Sequence, residues 1–166
     1  MNRKLVLTLS MLVLTAALLL SVPAAADSIT LTLAAPNQIG SFGSTVSFTA
    51  TVSAPSTNTA AIFLNGDSFN VDSPLAVDDT GFFSFPLSMN PGDVYTGVLF
   101  TVSIPSTTPL GYYNGYFQIL GGSDGNALNP ISNVASFQIY AVPEPGSMML
   151  LGTGAIALFG ALRRKL

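Results

Sequence analysis

The stretch STVSFTATV, Ser44 to Val52, alternates without a break: Val46, Phe48, Ala50 and Val52 fall on one side, and Ser47, Thr49 and Thr51 on the other. Successive side chains of an extended chain point to opposite faces, so this pattern predicts a strand with one face buried and one in water. The same period recurs in SITLTLA (Ser28 to Ala34), in YYNGYFQIL (Tyr112 to Leu120) and in VASFQIYAV (Val134 to Val142). From Asp93 to Ile104 it places Val94, Thr96, Val98, Phe100, Val102 and Ile104 on one face. Clusters of turn-forming residues separate the runs: Pro55 to Asn58, Asn65-Gly66-Asp67, Asp78 to Gly81, Asn90 to Asp93 and Gly121 to Asn126. Short strands between regular turn signals, with no helical stretch among them, predict an all-β, antiparallel β-sandwich of about seven to nine strands. Immunoglobulin-like topology is the first expectation, and a jelly roll its competitor.

A core for such a sandwich has to come from Phe, Val, Ile, Leu and a few Tyr, because the chain has no Trp and no Cys. The missing cysteines also exclude disulfides, thiolate metal sites and cysteine nucleophiles. Charged residues make up only 8% of the sequence, well below the ~25% of ordinary soluble domains. All five cations stand near the two ends, Arg3 and Lys4 before the strands and Arg163, Arg164 and Lys165 after them. Between Asp27 and Val142 there are seven Asp and no Lys, Arg or His. That body is anionic at neutral pH, and no nucleic-acid partner is expected, because phosphate neutralisation needs Lys and Arg.

Neither end resembles the middle. MNRKLVLTLSMLVLTAALLLSVPAAADS joins a basic start to an apolar run from Leu5 to Leu20, then Pro23 and the small residues Ala24-Ala25-Ala26. That is the layout of a secretory signal peptide, expected to form a helix over residues 1–26 and to be cut after Ala26, with Ala24, Ala26 and Asp27 at the cleavage site. The expected domain then runs over 27–141. Residues 142–166 follow as a tail with an uncharged apolar run, Met148 to Leu162, and a basic tip. Fifteen helical residues reach only ~22 Å, short of the ~30 Å hydrocarbon core. Gly146 and Ser147 extend the helix, and the basic side chains snorkel, so a transmembrane helix of about 146–162 is expected with local thinning. The cations at 163–165 orient their end toward the cytoplasm, which puts the domain on the outer side of the membrane.

The order Val142-Pro143-Glu144-Pro145, apolar helix, Arg163-Arg164-Lys165 resembles the PEP-CTERM sorting signal of exported bacterial proteins. The resemblance implies an exosortase as processing partner, besides the general secretion machinery, a signal peptidase and the inner membrane. It also implies Pro143, Glu144 and Pro145 as the sorting motif, Arg163, Arg164 and Lys165 as the cytoplasmic basic cluster, and a final place at the cell surface or in an exopolysaccharide matrix. Two prolines around one residue keep the motif extended, since each fixes its own φ and restricts the residue before it. A second resemblance lies in Pro91-Gly92-Asp93 through FTVSIPSTTPLGYYNGYFQI, which is similar to the final hairpin of immunoglobulin-like and fibronectin-like modules of bacterial surface proteins. It implies a tyrosine corner at Tyr113, with Tyr112 as the alternate.

Chemistry has few carriers here. Without His, Cys, Lys or Arg between Asp27 and Val142, no Ser-His-Asp or Ser-Lys site can be built there. The one remaining catalytic route is a pair of carboxylates, which keeps a secreted glycoside hydrolase as a remote alternative. Hence the expectation is a non-enzymatic structural or adhesive protein without catalytic residues or a required cofactor. The alternative is a binding module for Ca²⁺ or polysaccharide. Asp67, Asp72, Asp78 and Asp79 are the weak Ca²⁺ candidates, joined by Asp124, although their spacing lacks an EF-hand pattern and Asx residues are at home in turns. Tyr112, Tyr116 and Tyr140 alternate with apolar neighbours and are candidates for a sugar-stacking face.

Overall fold

In the computed structural model the described residues are 27–144, 146, 149–150 and 152–153. They form ten strands and one 3₁₀ segment, Thr80–Ser84. The strands are β1 (Thr30–Leu33), β2 (Asn37–Ser41), β3 (Thr45–Ser53), β4 (Ile62–Val71), β5 (Ala76–Asp78), β6 (Ser88–Met89), β7 (Val94–Ser103), β8 (Gly111–Gly122), β9 (Asn129–Pro130) and β10 (Ala135–Val142). The count exceeds the expected seven to nine because β6 and β9 are two-residue pieces. One sheet has the order β1-β3-β7-β5, and the other β2-β10-β8-β4-β6. β9 pairs with Leu120 and Gly121 of β8, and β10 with Gly111 to Phe117, so both run along one edge of β8, and the irregular stretch between them stays attached through Ile131 and Ser132, which hydrogen-bond to Ile119.

Two all-β sheets packed on each other match the sequence reading, but pairing is not wholly antiparallel. β2 lies parallel to β10, Asn37 opposite Gln138 and Ser41 opposite Val142. β7 and β8, expected as a hairpin, belong to different sheets; the Ile104–Leu110 connection crosses between the layers. The expected flanking helices find no support here. Residues 1–26 and most of 145–166 lie outside the described residues, and among the described residues no helix is long and apolar enough to cross a membrane.

Four phenylalanines tie the sheets together. Phe48 and Phe100 from the first sheet stack at 4.7 Å between ring centroids, and Phe100 stacks on Phe117 of the second at 4.9 Å with the planes only 1° apart. Phe137 completes the cluster, 4.8 Å from Phe48 and 5.0 Å from Phe100. Such offset contacts add to the burial of large apolar rings, which is the main stabilising term in a domain without disulfides. Gly115 makes room for the Phe137 ring, which it faces across β8 and β10. A Cβ there would stand 2.6 Å from the Asn70 carbonyl oxygen and collide with the ring edge.

Two bulges overturn two sequence readings. In β7, Phe100 pairs with Phe48 and Val98 with Thr49, leaving Leu99 as an extra residue. An extra residue exchanges the two faces of a strand. Val94 and Val98 therefore point outward and are exposed, whereas Leu99, Phe100, Val102 and Ile104 are buried. The single apolar face expected from Val94 to Ile104 is really two half-faces. The 3₁₀ segment covers the bulge: a Cβ on Gly81 would come within 2.7 Å of the Val98 and Leu99 carbonyl oxygens, so close approach requires glycine there. In front of the first half of β7, Phe85 meets Tyr95 edge-on at 4.8 Å.

The second bulge is at Asn65. Leu64 pairs with Gly121 and Gly66 with Leu120, so Asn65-Gly66-Asp67 lies inside β4 rather than in a turn. The Asn65 side-chain amide donates to the carbonyls of Asp124 and Ala127, both at 2.8 Å, fastening the 123–127 loop over the bulge.

Candidate functional site

The sorting motif starts inside the sandwich. Ala141 is fully buried and Val142 is the last paired residue of β10, while the Phe42 N–H donates to the Val142 carbonyl at 2.9 Å. Pro143 has no N–H to continue the ladder, so regular pairing stops there. Pro143 is half-buried and Glu144 exposed. The Glu144 carboxylate comes within 3.9 Å of where a Cβ on Gly43 would stand, in the turn between β2 and β3. Pro145, Arg163, Arg164, Lys165, Ala24 and Ala26 lie outside the described residues. Asp27 is described: its carboxylate accepts the Thr59 N–H at 2.7 Å and the Thr59 hydroxyl at 3.0 Å. The backbone hydrogen bond from Thr59 holds the Asp27 carboxyl below the usual carboxylate range.

The aspartates named as Ca²⁺ candidates are spread over the fold. Asp72 accepts the Asn114 N–H at 2.8 Å, next to β8. Asp78 accepts the Thr80 N–H at 3.0 Å, which lowers its pKa. Asp124 accepts the N–H groups of Asn126 and Ala127 at 2.8 and 3.0 Å. For Asp78 and Asp124 this is local turn chemistry, whereas the Asp72 bond reaches across to β8. Asp67 differs. It stands opposite Ile119, a fully buried residue, and so on the core-facing side of the second sheet. Burial, with the repulsion of Asp79 added, pushes its pKa up to about 6. Among the described residues no three metal-ligating side chains converge. The grooves at Asp27–Ile62–Ile131, at Leu64–Phe83–Leu87 and at Ile39–Tyr112–Tyr140 are lined by neither Asp67 nor Asp79.

The tyrosines divide by face. Tyr113 is buried, and its hydroxyl donates to the Pro109 carbonyl at 2.9 Å, bracing the crossing between the sheets. Tyr112 and Tyr140 point out from β8 and β10, directly opposite each other, with ring centroids 4.5 Å apart. Ile39 of β2 continues the row beside Tyr140. Sequence reading located the tyrosines but missed Ile39, because only the parallel pairing of β2 brings it alongside. It named Asp67 and Asp79 together as possible neighbours, and Asp79 does act on Asp67 electrostatically, but it placed Asp67 in a turn where the structure has it inside β4, past the bulge at Asn65.

The PEP-CTERM protein-sorting motif matches residues 141–165. No curated protein shows significant sequence similarity to the chain. Among solved structures the chain is similar to a family 123 glycoside hydrolase from Clostridium perfringens, at 8% identity and a TM-score of 0.45, over 70% of this chain and 27% of that one. It is similar to the CARDB domain of a Pyrococcus furiosus protein, at 13% identity and a TM-score of 0.39, over 70% of this chain and 94% of that one. It is also similar to a non-cellulosomal cohesin from Archaeoglobus fulgidus, at 14% identity and a TM-score of 0.33, over 75% of this chain and 97% of that one. The sorting motif implies an exported, membrane-transiting chain with an exosortase as its processing partner.

Proposed function

We propose that this chain is a non-enzymatic protein of the cell surface or extracellular matrix, delivered by its tail and contributing a β-sandwich as a structural or adhesive unit. The observation that carries the reading is the sorting motif over residues 141–165. Residues 1–26 serve as the signal peptide, cut after Ala26. Residues 146–162 hold the intermediate in the inner membrane, with Arg163, Arg164 and Lys165 on the cytoplasmic side and the sandwich on the periplasmic side. The exosortase engages Pro143, Glu144 and Pro145, a motif that starts where the β10 ladder stops and whose two prolines favour an extended chain. A non-catalytic role is supported by the residue set, since the sandwich lacks His, Cys, Lys and Arg, and by the carboxylates spent on backbone N–H groups.

Mass spectrometry of the protein recovered from its host tests the sorting step. The expected mature chain begins at Asp27 and has lost the apolar run and basic tip, and Glu144→Ala leaves the tail intact. Recovery of the uncut tail in wild-type membranes would reduce the segment to a plain anchor.

A further inference from the structure

Row by row, the outer face of the second sheet is organised at one end. Tyr112, Tyr140 and Ile39 form one row across β8, β10 and β2, and Asn114, Gln138 and Asn37 form the next. Adjacent strands lie ~4.8 Å apart, so each row is about 10 Å wide. Tyr112, Tyr140, Ile39, Gln138 and Asn37 of these rows, with Gln38, line a groove of about 310 Å³. Ile39 is 71% exposed and Tyr112 65%, large values for side chains of this size on a folded sheet. Tyr140 backs one face of Tyr112. The other side of Tyr112 has no neighbouring strand, because β4 ends at Val71, opposite Gly115. Gln138 is aligned by a 2.9 Å hydrogen bond from its amide to Asn114 Oδ1.

Two kinds of chemistry meet there: a ring whose free face offers an apolar surface, and side-chain amides that both donate and accept. A pyranose has the complementary pair, an apolar face of C–H groups and a rim of hydroxyls. Charge narrows the choice. No charged side chain lines the groove, and the residues from Asp27 to Val142 include seven Asp without a single cation. A polyuronate or sulfated chain would meet a field of its own sign. We infer that this face binds an uncharged polysaccharide, with a sugar ring on the free face of Tyr112 and its hydroxyls reaching the amides of Gln138 and Asn37. This rests on the reading of the chain as a matrix protein and names the kind of polymer it would hold.

The test uses the purified full chain in detergent, passed over amylose resin, microcrystalline cellulose and an alginate gel. Retention on at least one uncharged polymer is expected, undiminished by high salt. Tyr112→Ala should lower that retention about tenfold and Tyr112→Phe should keep it within about threefold, because the ring and not the hydroxyl supplies the stacking face. The residue is exposed, so equal melting temperatures of the variants verify that folding is intact. Flow-through on both uncharged polymers overturns the inference, as does retention that Tyr112→Ala leaves unchanged, binding confined to alginate, or a dimer abolished by Tyr112→Ala that accounts for the exposed row. The sorting reading fails differently, as an uncut tail in the mass spectrum whatever the columns show.

Discussion

The outer faces of the two sheets are built from different side chains. On the β1-β3-β7-β5 sheet it carries mainly hydroxyls, Thr30, Thr32, Ser47, Thr49, Thr51, Thr96 and Ser103, beside the exposed aliphatic Val94 and Val98 and no aromatic ring of that exposure, with Thr51 and Thr96 joined oxygen to oxygen at 2.8 Å. On the β2-β10-β8 part of the other sheet the same positions carry Ile39, Tyr140, Tyr112, Gln138 and Asn114. Folding needs only that the outward residues of a half-buried strand tolerate water and suit an extended backbone, which Thr does as well as Tyr. The fold therefore does not explain the rings. The hydroxyl face shows the minimum that this sandwich requires, and what the tyrosine face has beyond it is available for recognition.

Both faces share one core, so the largest effect should come from emptying it. Phe100→Ala removes the ring that stacks on Phe48 and on Phe117 and should cost about 3–5 kcal/mol in urea unfolding. Loss of that order makes both faces disappear together; a much smaller value would mean that the sheets hold separately. Next comes the inward carboxyl that only the tyrosine-bearing sheet possesses. Asp67 holds its proton up to about pH 6 in the folded chain, against about 3.9 when unfolded. The folded state thus binds the proton more tightly, and Asp67 makes stability fall as pH rises from about 4 through about 6. Asp67→Asn should flatten that limb and stabilise the protein at pH 7 by about 1 kcal/mol, less than full linkage because the group keeps contact with water.

Two smaller substitutions sharpen the contrast. Tyr113→Phe deletes the hydrogen bond to Pro109 and should cost about 1 kcal/mol, with glycan retention unchanged since the ring stays in the core. Thr51→Val breaks the hydroxyl pair with Thr96 at an outward, partly exposed position of high strand propensity, and a change within about 0.5 kcal/mol is expected. A loss beyond 1.5 kcal/mol there would show that the plain face contributes more than solvation.

Local alternation was legible wherever one strand stayed in register along its whole length. Val46, Phe48, Ala50 and Val52 are buried as read, and so are Tyr113, Phe117 and Ile119 of β8. It failed at Leu99 and at Asn65 because a bulge is set by the partner strand and by what covers it, Gly81 over one and the 123–127 loop over the other. Neither determinant is near in sequence. An Asn-Gly-Asp string also favours a turn by its residue types, and pairing with β8 overrides that preference. For the candidate site, the sorting motif could be read directly since it is a linear pattern. The Ile39–Tyr140–Tyr112 row could not, because its members come from three strands far apart in the chain.

The strand that leads into the sorting motif is also held on both sides along its length. β10 pairs through five residues with β2 on one side and seven with β8 on the other, and its Phe137 and Ile139 are buried in the core. A pull on the tail acts along the axis of this strand. The ladders on both sides are then loaded in shear, many hydrogen bonds at a time, instead of opening one by one from an end. A sandwich tethered through such a strand is suited to bearing tension, whether the other end of the tether is a membrane or a polymer mesh.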